Sequence, residues 1–237
     1  MELRLRGIKK SFGEKEVLKG CTFDFQQGKI YGLLGRNGAG KTTLFNCLSD
    51  ELIPDEGRAD LYREENGENE LSTDDIGYVF STPILPDFMT GYEFIKFYMD
   101  INQRKSKVNH SIDYYFDLVK IAPEDRKRLI KGYSHGMKNK MQMLCFLIAR
   151  PPVILLDEPL TSFDVVVALE IKRLLREIKH EHIIIFSTHI LQLATDLCDE
   201  IVILHDGILE KIDHQLLYKE DFEAKIIEML KDEKPNE

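Results

Sequence analysis

The chain of 237 residues is long enough to bury a sizeable core, and its 43% hydrophobic and 31% charged residues are those of a globular protein. A net charge of −9 argues against a nucleic-acid backbone as the main partner. No apolar run approaches the ~20 residues that cross a bilayer, and the opening MELRLRG lacks the layout of a signal peptide, so a cytoplasmic chain is predicted.

In chain order, LRLRGI, CTFDF and IYGLL read as short strands separated by Gly-containing turns. A helix follows from about Gly40 through TTLFNCLSD. The polar, turn-rich stretch PDEGRADLYREENGENELSTDDIGYVF predicts a small antiparallel element of two or three strands. From MTGYEFIKFYMD to QMLCFLIAR the pattern is helical, and within it GYSHGMKNK sets a serine N-cap, Ser134, before a run of methionines and leucines. Strand and helix then alternate: VILLD, the amphipathic VVVALEIKRLLREIK, HIIIFST, ILQLATDLC, and EIVILHDGILEKI as a hairpin turning at Asp206 and Gly207.

This order predicts an α/β fold with a mainly parallel sheet. It reads as one domain over residues 1–237, with an N-terminal antiparallel β subdomain, a helical lobe inserted at about 82–150 and a helical tail at about 213–237. Cys21, Cys47, Cys145 and Cys198 show no paired short spacing, so reduced, mostly buried thiols are expected rather than disulfides or zinc. KHEHIII lacks the helical H-E-x-x-H spacing, and His180 and His182 read as solvated turn residues.

IYGLLGRNGAGKTTL carries the most specific signal. Gly35, Arg36, Asn37, Gly38, Ala39, Gly40, Lys41 and Thr42 form G-x-x-x-x-G-K-[ST] between a strand and a helix, the setting of a P-loop NTPase core. Backbone N–H groups there wrap phosphates, the helix dipole adds positive potential, Lys41 reaches the β and γ phosphates, and the Thr42 hydroxyl holds Mg²⁺. VILLDEP supplies the complement: Asp157 orders the magnesium's water shell, and Glu158 beside it polarises an attacking water as general base. His189, at the end of HIIIFST, is placed to touch a γ phosphate.

The loop at 35–42, YSHGM at 133–137, VILLDEP at 153–159, LTSFD at 160–164 and STH at 187–189, in this order and spacing, resemble the ATP-binding cassette (ABC) ATPase family from about Leu3 to Gly207. The resemblance implies ATP and Mg²⁺ as ligands, with Thr43 joining the nucleotide-binding loop and Phe12 in the place of the aromatic that stacks on adenine. It also implies that Ser134 and Gly136 cap a helix aimed at the nucleotide of an opposite subunit, and that Asp164 links the two sites. Tyr133, His135 and Met137 depart from the usual Leu-Ser-Gly-Gly-Gln, in a form similar to bacterial drug, bacteriocin and peptide exporters. Ser81 stands where the family places a glutamine that touches Mg²⁺ and the attacking water; a serine is too short for that contact without an intervening water.

What the resemblance implies is an ATP-hydrolysing transporter subunit, paired with a second copy or a paralogous subunit. It would drive a separate integral membrane permease, for export, from the inner face of the cell membrane. The segment PILPDFMTGYEF offers apolar residues that serve either to meet that permease or as lobe core. A soluble ABC ATPase of macromolecular assembly and a nucleotide sensor without turnover stay open, the latter favoured by Ser81 and opposed by Glu158 and His189.

Overall fold

The computed structural model describes residues 1–65, 67–102, 110–159 and 165–212. Two long strands open the chain, β1 (Glu2–Phe12) and β2 (Lys15–Gln26), followed by β3 (Ile30–Leu34) and helix α1 (Lys41–Leu48). Strands β4 (Glu56–Arg63), β5 (Gly67–Glu70) and β6 (Ile76–Val79) come next. Four helices fill the middle: α2 (Gly91–Asn102), α3 (Ile112–Leu118), α4 (Pro123–Arg126) and α5 (His135–Ala149). The last described part runs β7 (Val153–Asp157), α6 (Val165–Ile178), β8 (Ile183–Thr188), α7 (Leu191–Leu197), β9 (Glu200–His205) and β10 (Ile208–Lys211).

These strands make two sheets. One is antiparallel, in the order β2-β1-β4-β5; the other has the order β10-β9-β3-β8-β7-β6 and is parallel except for its β10 edge. The polar segment that predicts one small antiparallel element is therefore divided. Its first two strands extend the antiparallel sheet, whereas β6 crosses to the parallel one and pairs with β7. The hairpin of β9 and β10 turns at Asp206 and Gly207, both at positive φ (45° and 75°), as a two-residue loop between right-twisted strands requires.

Every residue of β3, β7 and β8 is buried, the continuous apolar pattern of strands covered on both faces. Val153 and Leu155 face one core with Leu3, Phe25 and Phe45, which the antiparallel sheet and α1 close. Ile154 and Leu156 face the opposite core, against Val167, Ile171 and Leu175 of α6. The middle helices have a third core built on Phe94, Phe116, Met141 and Leu144. Helix α5 belongs to both of the latter, since its Met143 and Phe146 pack in the α6-side core.

Parallel register then aligns the strand ends. Leu34 is opposite Thr188, and Asp157 is opposite Ser187, so the chain leaves β3, β7 and β8 at one edge of the sheet. Ligands bind in such sheets outside the carboxyl ends of the strands.

Candidate nucleotide site

The loop after β3 has the backbone that its glycines allow. Gly38 and Gly40 lie at φ 83° and 104°, in the left-handed region. A Cβ on Gly40 would meet Val17 at 2.9 Å, and one on Gly35 would meet the Leu204 carbonyl at 2.8 Å. Gly40 is the N-cap of α1, and the Leu44 N–H donates to its carbonyl at 2.8 Å.

Lys41 is buried at 6% exposure, with Nζ donating to the carbonyls of Gly35 at 2.8 Å and Arg36 at 3.1 Å. Burial lowers its pKa, against the pull of Glu158 and Asp157. An ammonium held among carbonyls at a helix start, in a loop turned inward by glycines, fits an anionic triphosphate.

Asp157, 2% exposed, anchors the neighbouring groups. One carboxylate oxygen accepts from Thr42 Oγ1 at 2.8 Å, and the other accepts from Ser187 Oγ at 2.5 Å. Ser187 Oγ in turn accepts the Glu158 N–H at 3.1 Å. Glu158 has φ 48°, unusual for a residue with a side chain, which turns it out of line from β7. Its Oε1 lies 2.9 Å from His189 Nδ1. A hydroxyl and a carboxylate from two elements at one point suit a hard cation completed by phosphate and water oxygens, so the donor set fits Mg²⁺.

Lys41, Thr42, Asp157, Glu158 and His189 are thus brought together. Ser187, whose only sequence signal is a small hydroxyl two positions before His189, joins them as the hinge of the network. Phe12 stands about half exposed at the end of β1, with Lys10 Nζ 6.0 Å from its ring centre. It lies outside the lining of the adjacent cleft, which Lys15, Val17, Arg36, Gly38 and His205 form. Ser81 is exposed just beyond β6, and Asp164 lies outside the described residues.

Ser134 sits on a different element. Its hydroxyl caps α5 by accepting from the Met137 N–H at 3.2 Å, and both it and His135 are exposed. Tyr133 is buried, and its hydroxyl donates to the Asp125 carbonyl at 2.8 Å. Gly91 makes room for that ring, since a Cβ there would stand 2.1 Å from the Tyr133 oxygen. Tyrosine at this position therefore anchors the helix start in the middle core.

Two expectations change. His182 is no solvated turn residue: it is 3% exposed, with Nδ1 2.6 Å from the Pro151 carbonyl, while His180 is exposed. The apolar segment before α2 is lobe core only in part. Leu85 and Met89 pack on the middle core, whereas Ile84 and Phe88 are 71% and 82% exposed. The four cysteines are free, Cys21 buried and the others partly so; burial pushes the Cys21 thiol up to about 12.

Residues 18–161 match the family model described as ABC transporter. The chain belongs to the ABC transporter family. An uncharacterized ABC transporter ATP-binding protein, YxlF of Bacillus subtilis, is 33% identical over 86% of this chain and 68% of its own length. The bacitracin transport ATP-binding protein BcrA of Enterococcus faecalis is 29% identical over 92% of this chain and 71% of its own. A solved structure described as the dimeric post-hydrolysis state of an ATP-binding cassette bound to ADP and Pi shares the fold: TM-score 0.72, 22% identity, 89% of this chain and 99% of that one. The glycine-rich loop, Asp157 and His189 of the chain lie at the strand ends of this fold. No helix among the described residues is long and apolar enough to cross a membrane.

Proposed function

We propose that the chain is the ATP-hydrolysing subunit of an ABC exporter, closing head to tail with a second copy or a paralogous subunit around two ATP and driving a separate membrane permease. The observation that carries this reading is the continuous chain of contacts from Thr42 through Asp157 and Ser187 to Glu158 and His189, beside the buried Lys41. Residues 35–43 bind the triphosphate, Phe12 offers an exposed face to the base, and Thr42 with Asp157 would hold Mg²⁺, Ser81 reaching it through water. Bound there, Mg²⁺ would neutralise charge on the phosphates.

Glu158 is the base. While its carboxylate is ionised, His189 carries the proton on Nδ1 and donates it to Oε1. When Glu158 takes the proton of the attacking water on its other oxygen, Oε2, Oε1 still accepts from Nδ1–H, so the imidazole holds the carboxyl in place and moves no proton of its own. The exposed Ser134 and the half-buried Gly136, at a helix start, serve the γ phosphate of the opposite subunit, with Asp164 linking the two sites. The exposed Ile84 and Phe88 form the contact with the permease, which keeps the subunit at the cytoplasmic face of the membrane. Export rests on the YSHGM form of the signature and on the likeness to a bacitracin transport protein.

Sedimentation of Glu158→Gln, alone and with any paralogous subunit, tests the clasp. ATP with Mg²⁺ should give a dimer that ADP does not, and Ser134→Arg should abolish it. A strictly monomeric ATP-loaded chain would rule the clasp out.

A further inference from the structure

Gln142 has a role that no motif assigns. It lies on α5 eight residues after the Ser134 cap, about 12 Å along the helix axis, and is 6% exposed. Neighbours Met141, Met143 and Leu144 are fully buried apolar side chains, so a methionine or leucine would suit the position on packing grounds. A buried amide is costly unless its groups are bonded. Here they are: Oε1 accepts the Phe80 N–H at 3.3 Å, and Nε2 donates to the Phe80 carbonyl at 3.1 Å and to Asn139 Oδ1 at 3.3 Å.

Those two bonds continue a strand where its ladder ends. β6 is the edge strand, and its pairing with β7 runs from Ile76↔Val153 to Val79↔Leu156. Phe80 and Ser81 follow the strand past its last pair, towards the end of β7 where Asp157 and Glu158 lie. The amide of Gln142 thus holds both backbone polar groups of the residue that precedes Ser81. From the other side, the Phe80 ring lies 4.1 Å from that of Tyr78, whose hydroxyl donates to Asn46 on α1. Phe80 is gripped between the helix that follows the phosphate loop and the helix that Ser134 caps.

We propose that Gln142 is a positioning residue that couples the Ser134 end of α5 to the Ser81 end of β6, so that displacement of the helix start on ATP-driven closure moves Ser81 relative to Asp157 and Glu158. The inference rests on the ATPase reading above, but its first readout does not need turnover. In this chain the short Ser81 side chain leaves the backbone as the means of coupling, and Gln142 holds that backbone.

The test is hydrogen exchange of the full chain with and without ATP and Mg²⁺, in the Glu158→Gln background, comparing Gln142 with Gln142→Met and with Gln142→Asn. Methionine keeps the volume and removes both bonds to Phe80 and the one to Asn139; asparagine keeps the polarity and shortens the reach by one methylene. With Gln142, ATP should slow exchange in residues 134–142 and 76–81 together. In either variant the response of 134–142 should persist and that of 76–81 should vanish. With Glu158 restored, both variants should lower kcat about tenfold at unchanged KM for ATP. A 76–81 response equal in all three chains, or none in any, overturns the proposal. Turnover by the Gln142 chain with no 76–81 response sinks this inference alone; the coupled response without turnover sinks the hydrolysis reading alone.

Discussion

Glu158 Oε1 and His189 Nδ1 face each other at 2.9 Å across the ends of two adjacent strands. The contact exists because β7 and β8 pair in a register that sets Asp157 opposite Ser187, so that Glu158, one residue on, and His189, two residues on, leave the sheet at the same edge. A positive φ at Glu158 completes the turn. Backbone strain and side-chain pairing thus fall on the same residue, as at a site where geometry is held against local preference.

Ser187 makes the first prediction. Its buried hydroxyl donates to the buried Asp157 carboxylate and accepts from the N–H of the partly buried Glu158. Ser187→Ala removes the donor to a buried carboxylate oxygen and the acceptor of the Glu158 N–H, a loss of about 1–3 kcal/mol in stability. Freed on one side, Asp157 holds its metal-binding geometry less well, and the Mg²⁺ concentration for half-maximal ATPase should rise about tenfold. Urea unfolding and an Mg²⁺ titration of phosphate release measure the two effects. Unchanged Mg²⁺ dependence would mean that Ser187 serves the fold only.

His182 predicts a pH dependence of stability. Burial first, and Arg150 to a lesser degree, lower its pKa from the ordinary 6.5, despite the Pro151 carbonyl and Glu181. Below that ordinary value the unfolded chain binds the proton more readily than the folded one, so stability falls as pH drops through 6.5 towards the folded value. His182→Gln keeps a donor for the carbonyl and does not titrate. Urea midpoints measured at about pH 7.5 and about pH 5 should differ less for the variant than for the parent chain; equal differences would contradict the assignment.

The phosphate loop, the acid-terminated strand and the serine cap were legible in the sequence because each is a short local pattern whose chemistry depends on spacing along one element. The same holds for the hairpin turn at Asp206 and Gly207. What lay hidden depends on contacts between distant residues. β6 follows an antiparallel pair without a break in composition, and only its pairing with β7 reveals the change of sheet. His182 looks like a turn residue until the Pro151 carbonyl, 31 positions earlier, is seen to cover it. Ser187 stands opposite Asp157 only through the register of two strands, and Gln142 reaches Phe80 across 62 positions.

Phosphate release by the full chain with ATP and Mg²⁺, set beside that of Glu158→Gln under the same conditions and with its permease where one is needed, addresses the catalytic assignment directly. The amide cannot take the water's proton, so turnover should fall about 10²–10⁴-fold while ATP still binds. Release by the parent chain no faster than by the variant would contradict Glu158 as the base.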